Sequence, residues 1–80
     1  MSAAEQKKIL LKVFATLRKF RAPEGEEVFP EDATVAEILA GIGIPQQKAA
    51  VIFINGRHAE LESVPADGDT LAIFPPVGGG

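Results

Sequence analysis

The residues with chemical potential stand at the very end of the chain. Phe74-Pro75-Pro76-Val77-Gly78-Gly79-Gly80 offers no side-chain acid, base or nucleophile. What it presents is the carboxylate of Gly80. Three glycines can enter a channel too narrow for any residue with a side chain and bring that carboxylate to a reactive centre inside it. The prolines before them donate no ladder hydrogen bond and hold φ near the polyproline value, so they end the β-like run Thr70-Leu71-Ala72-Ile73-Phe74. The pattern implies a folded body ending in a thin, extended, mobile tail that can plug another protein's active site. A terminal glycine run alone also fits a frayed end or a linker; the Phe-Pro-Pro-Val ahead of it sets this one apart.

Elsewhere the inventory is poor in catalytic groups. The 80 residues contain no cysteine, which removes disulfides, thiolate metal sites and thiol nucleophiles, and His58 is the sole histidine. At 46% hydrophobic, 24% charged and a net charge of −3, the composition is that of one small globular domain. The apolar run from Ala49 to Ile54 is far too short for a bilayer span, and no secretory signal is visible, so a cytoplasmic protein without membrane attachment is expected. Charge is split, +5 over residues 1–21 and −8 over residues 22–80. With an acidic total and neither Trp nor Tyr to stack on bases, nucleic acid is not an expected partner. An acidic body suits a partner with a basic docking surface.

The tail must be positioned by a compact body, and its elements can be read in order. The first segment supports two readings. Leu10, Val13, Phe14 and Leu17 have helical spacing behind a Ser2-x-x-Glu5 capping pattern, while Ile9, Leu11 and Val13 alternate with Leu10, Lys12 and Phe14 as in a two-faced strand. Pro23-Glu24-Gly25-Glu26 reads as a turn with Gly25 free to take positive φ, and Glu26 to Phe29 as a returning strand. Thr34-Val35-Ala36-Glu37 has the form of a capping box opening a helix whose apolar face is Val35, Ile38, Leu39 and Ile42, closed by Gly41 and Gly43. Ala50 to Ile54, apolar throughout, predicts a strand buried on both faces at the centre of the sheet. Asn55-Gly56 predicts a type I′ turn into a short strand from about Arg57 to Leu61. Pro65-Ala66-Asp67-Gly68-Asp69 predicts a second turn, too short for a calcium loop, before the last strand. One helix across a mixed sheet of four to five strands is an α+β roll.

Phe-Pro-Pro-Val-x-Gly-Gly at the C-terminus resembles the ending of the MoaD/ThiS family of ubiquitin-like sulfur carriers, closest to the small subunit of molybdopterin synthase. Ile54-Asn55-Gly56-Arg57-His58 and Asp67-Gly68-Asp69 extend the resemblance over most of the chain. Where the family commonly has alanine or another small residue, this chain has Gly78. The resemblance implies a β-grasp fold and selects the strand reading of the first segment, with a strand resembling Lys12-Val13-Phe14-Ala15 and a loop resembling Leu17-Arg18. It divides the chain into a flexible extension over 1–8, a β-grasp domain over 9–75 and a flexible tail over 76–80.

Its functional implication is a carrier and co-substrate, not an enzyme. A MoeB/ThiF-like adenylating enzyme of the ubiquitin-activating type would use ATP to adenylate Gly80, the carrier itself holding no cofactor. A persulfide sulfur donor would displace AMP to leave a thiocarboxylate, and the large subunit of a synthase would accept the sulfur, for the pterin of a molybdenum or tungsten cofactor. Sulfur supply to thiazole or another sulfur-containing metabolite, conjugation through Gly80 to protein lysines, and a non-conjugating interaction domain with an idle tail are the alternatives. Gly79, Gly78, Val77, Pro76 and Pro75 would occupy the partner. If Ile9, Leu11, Val13, Leu71 and Ile73 face inward, Leu10, Phe14 and Phe74 face outward, as a docking patch or as further core. Arg57 and His58 read either as solvated turn residues or as the rim of that patch.

Overall fold

A computed structural model describes residues 5–76. The expectations for residues 1–4 and for Val77, Gly78, Gly79 and Gly80 lie outside the described residues. Five strands form one sheet: β1 (Gln6–Val13), β2 (Glu24–Pro30), β3 (Val51–Ile54), β4 (Arg57–His58) and β5 (Thr70–Phe74). Their spatial order is β2-β1-β5-β3-β4, with β1 and β5 parallel and the other neighbours antiparallel. One helix, α1 (Val35–Ile42), and 3-10 turns at Ala15–Lys19 and Gln46–Lys48 complete the α+β roll.

Period-two alternation decides which side of the sheet each residue takes. Ile9, Leu11 and Val13 of β1, Ile52 of β3, and Leu71 and Ile73 of β5 are buried with Val35, Ile38 and Leu39 of α1 and with Leu17, Phe29 and Ile44. The helix forms where the capping pattern places it. Thr34 Oγ1 accepts the Glu37 N–H at 3.1 Å, and Glu37 Oε1 accepts the Thr34 N–H at 2.9 Å. Gly43, at φ 83°, closes the helix in the left-handed region, and the Ile44 N–H returns to Leu39 O at 3.0 Å.

Several expectations are corrected. Gln6–Lys8 belong to β1 instead of a flexible extension, because Lys7 continues the inward series of Ile9, Leu11 and Val13 and is buried. The first strand ends at Val13, so Phe14 and Ala15 lie past it and not within it. Gly25 sits inside β2 opposite Leu11, without positive φ, because the turn falls earlier at residues 20–23. β3 is not the centre of the sheet; β5 is, flanked by β1 and β3. A single helix covers one face only, so Val51 and Phe53 stand on the uncovered face, Val51 being 36% exposed. The strand after Asn55-Gly56 spans only Arg57–His58.

Ala15 follows β1 at φ 53°, a left-handed conformation that costs a residue with a Cβ about 1 kcal/mol or more. Its side chain is exposed. Ala15→Gly is therefore expected to stabilise the domain by about 1 kcal/mol. Thermal melting checks this, a rise of about 5 °C being expected for a domain of this size.

Candidate functional site

The turns that hold β5 in place are built from the polar residues next to it. Asn55 and Gly56 take positive φ, 53° and 80°, as the type I′ turn requires. Asn55 then bridges to the start of β5: its Oδ1 accepts the Thr70 N–H and its Nδ2 donates to Asp69 Oδ1, both at 2.9 Å. Asp69 Oδ2 accepts the Ala66 N–H at 2.8 Å, and Asp67 Oδ1 accepts the Lys8 N–H at 2.7 Å. Asp69 thus serves the backbone of the turn that starts the last strand, and Asp67 ties that turn to β1.

At its other end β5 delivers Phe74 to the uncovered face. Phe14 stacks on it with ring centroids 4.2 Å apart and planes 5° from parallel. Phe53 meets the same ring edge-on, at 5.8 Å and 90°. Each such aromatic contact adds about 1 kcal/mol beyond the area it buries. With Ala15, Ala50, Val51, Pro75 and Pro76 these rings line an open hollow of about 440 Å3. Among the described residues that line it there is no acid, base or nucleophile. Its described lining is apolar throughout, which suits contact with another apolar surface.

The rest of the uncovered face is mixed in charge. Lys12 pairs in register with Glu24, and Leu10 with Glu26, which is exposed. On the far side His58 stands opposite Phe53, its ring 6.1 Å away and perpendicular. Arg57, opposite Ile54, is turned by strand alternation toward the helix side of the sheet and away from the phenylalanines. Of the residues singled out in the sequence, the structure thus brings together Phe14, Phe74, Pro75 and Pro76, and places Arg57 apart. Val77, Gly78, Gly79 and Gly80 lie beyond the described residues. Phe53 and Val51 were missed, because an unbroken apolar run gives no sign of which members face a helix and which face outward.

Among the described residues no group of three or more metal-ligating side chains occurs, and no helix is long and apolar enough to cross a membrane. The family model described as ThiS family matches residues 11–80. Among solved structures, small archaeal modifier protein 1 (SAMP1) of Haloferax volcanii is 30% identical, with a TM-score of 0.69, over 91% of this chain and 99% of its own. A protein of Pyrococcus furiosus assigned as molybdopterin converting factor, subunit 1, is 29% identical, with a TM-score of 0.71, over 89% of this chain and 99% of its own. The ubiquitin-like fold is also that of Caldiarchaeum subterraneum ubiquitin, at a TM-score of 0.63 and 19% identity, over 95% of this chain and 100% of its own. No significant match is found among curated proteins.

Proposed function

The chain belongs to the ThiS family, and from that premise we propose that it is a sulfur carrier, charged as a thiocarboxylate on Gly80, that supplies molybdopterin synthesis. The observation that carries the reading is the place where the tail leaves the body. Phe74, Pro75 and Pro76 lie against a face whose described lining is apolar, so a partner that covers this face would also receive the glycines. The similarity to a molybdopterin converting factor subunit favours the pterin over thiazole as the destination.

Chemistry dictates the order of events. A carboxylate does not exchange oxygen for sulfur unaided, because oxide is a very poor leaving group. A MoeB/ThiF-like adenylating enzyme would join the Gly80 carboxylate to the α-phosphate of ATP, releasing pyrophosphate. The terminal sulfur of a persulfide donor would then attack the carbonyl and expel AMP, and a thiol would cleave the resulting acyl disulfide to free the thiocarboxylate. The synthase large subunit would accept that sulfur. The carrier contributes a docking face and a thin reactive arm, in the cytoplasm, while the cofactor and catalytic groups belong to its partners.

The test is the mass of the tryptic peptide from His58 to Gly80 after incubation with such an enzyme, ATP and a persulfide donor. This peptide contains neither Met nor Cys, so oxidation cannot imitate replacement of oxygen by sulfur. An unmodified peptide beside a charged control carrier would sink the proposal. Similarity to SAMP1 favours a second reading, conjugation of Gly80 to a lysine, which predicts an isopeptide at Gly80 in cell extracts.

Docking has its own prediction. Phe53→Ala removes the ring that supports Phe74 edge-on from β3. It is expected to raise the KM for the carrier in adenylation about thirtyfold, with kcat little changed. Steady-state pyrophosphate release checks this.

A further inference from the structure

The chain is held on both sides up to the point where the tail begins. Phe74 O accepts the Ala50 N–H at 2.9 Å on the side of β3, and Ile73 O accepts the Phe14 N–H at 3.2 Å on the side of β1. The Phe74 ring is fixed by Phe14 and Phe53. Position and direction of the backbone at Phe74 are therefore set by the sheet. Pro75 and Pro76 come next, and both line the same hollow as the rings, so the chain leaves along the uncovered face.

Each proline fixes its own φ and keeps the residue before it out of the helical region, which restricts Phe74, Pro75 and Pro76 in succession. Two such residues make a stiff segment about 6 Å long at the polyproline rise. Gly78, Gly79 and Gly80 carry no comparable restraint. We infer that Pro75-Pro76 is a strut that aims the glycines, so that both prolines are positioning residues for the reaction at Gly80. The inference rests on the carrier reading and deepens it. Gly80 is six residue steps beyond Phe74, a reach of at most about 21 Å, so the partner's reacting centre lies within that distance of the surface that covers Phe14 and Phe74.

A strut and a contact have different kinetic consequences. A proline that only touches the partner contributes to docking, and its loss weakens binding. A strut acts after docking, by limiting the orientations among which the glycines must find the channel, and its loss slows the step at saturation. The faces that bind and the segment that aims are then separable by experiment.

Single-turnover adenylation, with the adenylating enzyme in excess over carrier, distinguishes them. Pro75→Gly/Pro76→Gly is expected to lower the maximal rate about tenfold while the half-saturating enzyme concentration stays within about twofold of wild type. Pro75→Ala/Pro76→Ala, which restores part of the stiffness, is expected to fall between the two. Unchanged melting temperatures confirm that the body is intact. A raised half-saturating concentration at an unchanged maximal rate, or equal rates for all three proteins, overturns the strut. If wild type itself is not adenylated, the carrier reading fails and the strut falls with it; if wild type is adenylated and the variants match it, the strut alone falls.

Discussion

Gly80→Val is expected to slow adenylation by about a hundredfold or more while leaving the melting temperature unchanged. The two halves of that expectation have separate causes. Among the described residues the strands, the helix and the buried cluster all fall within residues 6–74, so the core is expected to lose nothing. In the proposed reaction, by contrast, the chemistry takes place at the carbonyl of residue 80. A branched Cβ beside it obstructs the approach of the phosphate in the first step and of sulfur in the second. It also widens the arm beyond what a glycine-wide channel can close around, admitting water to an adenylate that must be kept dry. Gly79→Val is expected to act in the same way, whereas Gly78→Ala is expected to charge, since the family pattern accepts a small side chain there. Pyrophosphate release and the mass of the peptide from His58 to Gly80 measure both steps. Charging of Gly80→Val at the wild-type rate would show that no glycine-wide channel closes around the end of the tail.

How far the fold could be read in advance depended on whether each signal was local. The capping box at Thr34 and Glu37, the turn at Asn55-Gly56 and the stop at Gly43 are set by the backbone conformation of a few adjacent residues, and each forms where it was expected. The inward set of β1 was equally legible, because alternation fixes Ile9, Leu11 and Val13 relative to one another. What could not be read was the partner of each face. Ala50 to Ile54 is apolar for two unrelated reasons: Ile52 packs into the core, while Val51 and Phe53 stand on the side that no helix covers. Hydrophobicity kept for a partner and hydrophobicity kept for the core are the same letters. Placing β3 at the centre of the sheet followed from that ambiguity. At the site, Phe14 and Phe74 were found because strand parity put both outside, and their stacking at 4.2 Å needed the parallel pairing of β1 with β5. Arg57 illustrates the opposite case: the residue is near the turn as read, but its register with Ile54 turns it to the other face.

Lys7→Met is expected to destabilise the domain by about 3 kcal/mol, a fall of about 15 °C in melting temperature. The residue is 1% exposed, the one buried charged side chain among the described residues. Its ammonium donates to Ala33 O at 2.7 Å and to Pro65 O at 2.6 Å, tying β1 to the segment before α1 and to the loop before β5. Methionine fills the volume of the stem and removes the cost of burying a charge, but it leaves two carbonyls in the interior without the donor they face. Loss of two charge-assisted bonds outweighs the relief.

The dependence on pH gives a second, independent check. Burial pushes the Lys7 pKa below its ordinary value of 10.5, against the opposing pull of Asp32, Asp69, Glu31 and Glu37. Between the folded and unfolded values the unfolded chain binds the extra proton, so stability rises with pH across that window. The penalty for burying the ammonium is thus present in full at neutral pH and is recovered as pH climbs through the folded value toward 10.5. Methionine has no such proton. The stability gap between wild type and Lys7→Met is therefore expected to widen with alkalinity up to about pH 10.5 and to level off above it, as measured by urea unfolding of both proteins. A gap that narrows over this range would mean that Lys7 is held by its acidic neighbours and not opposed by its burial.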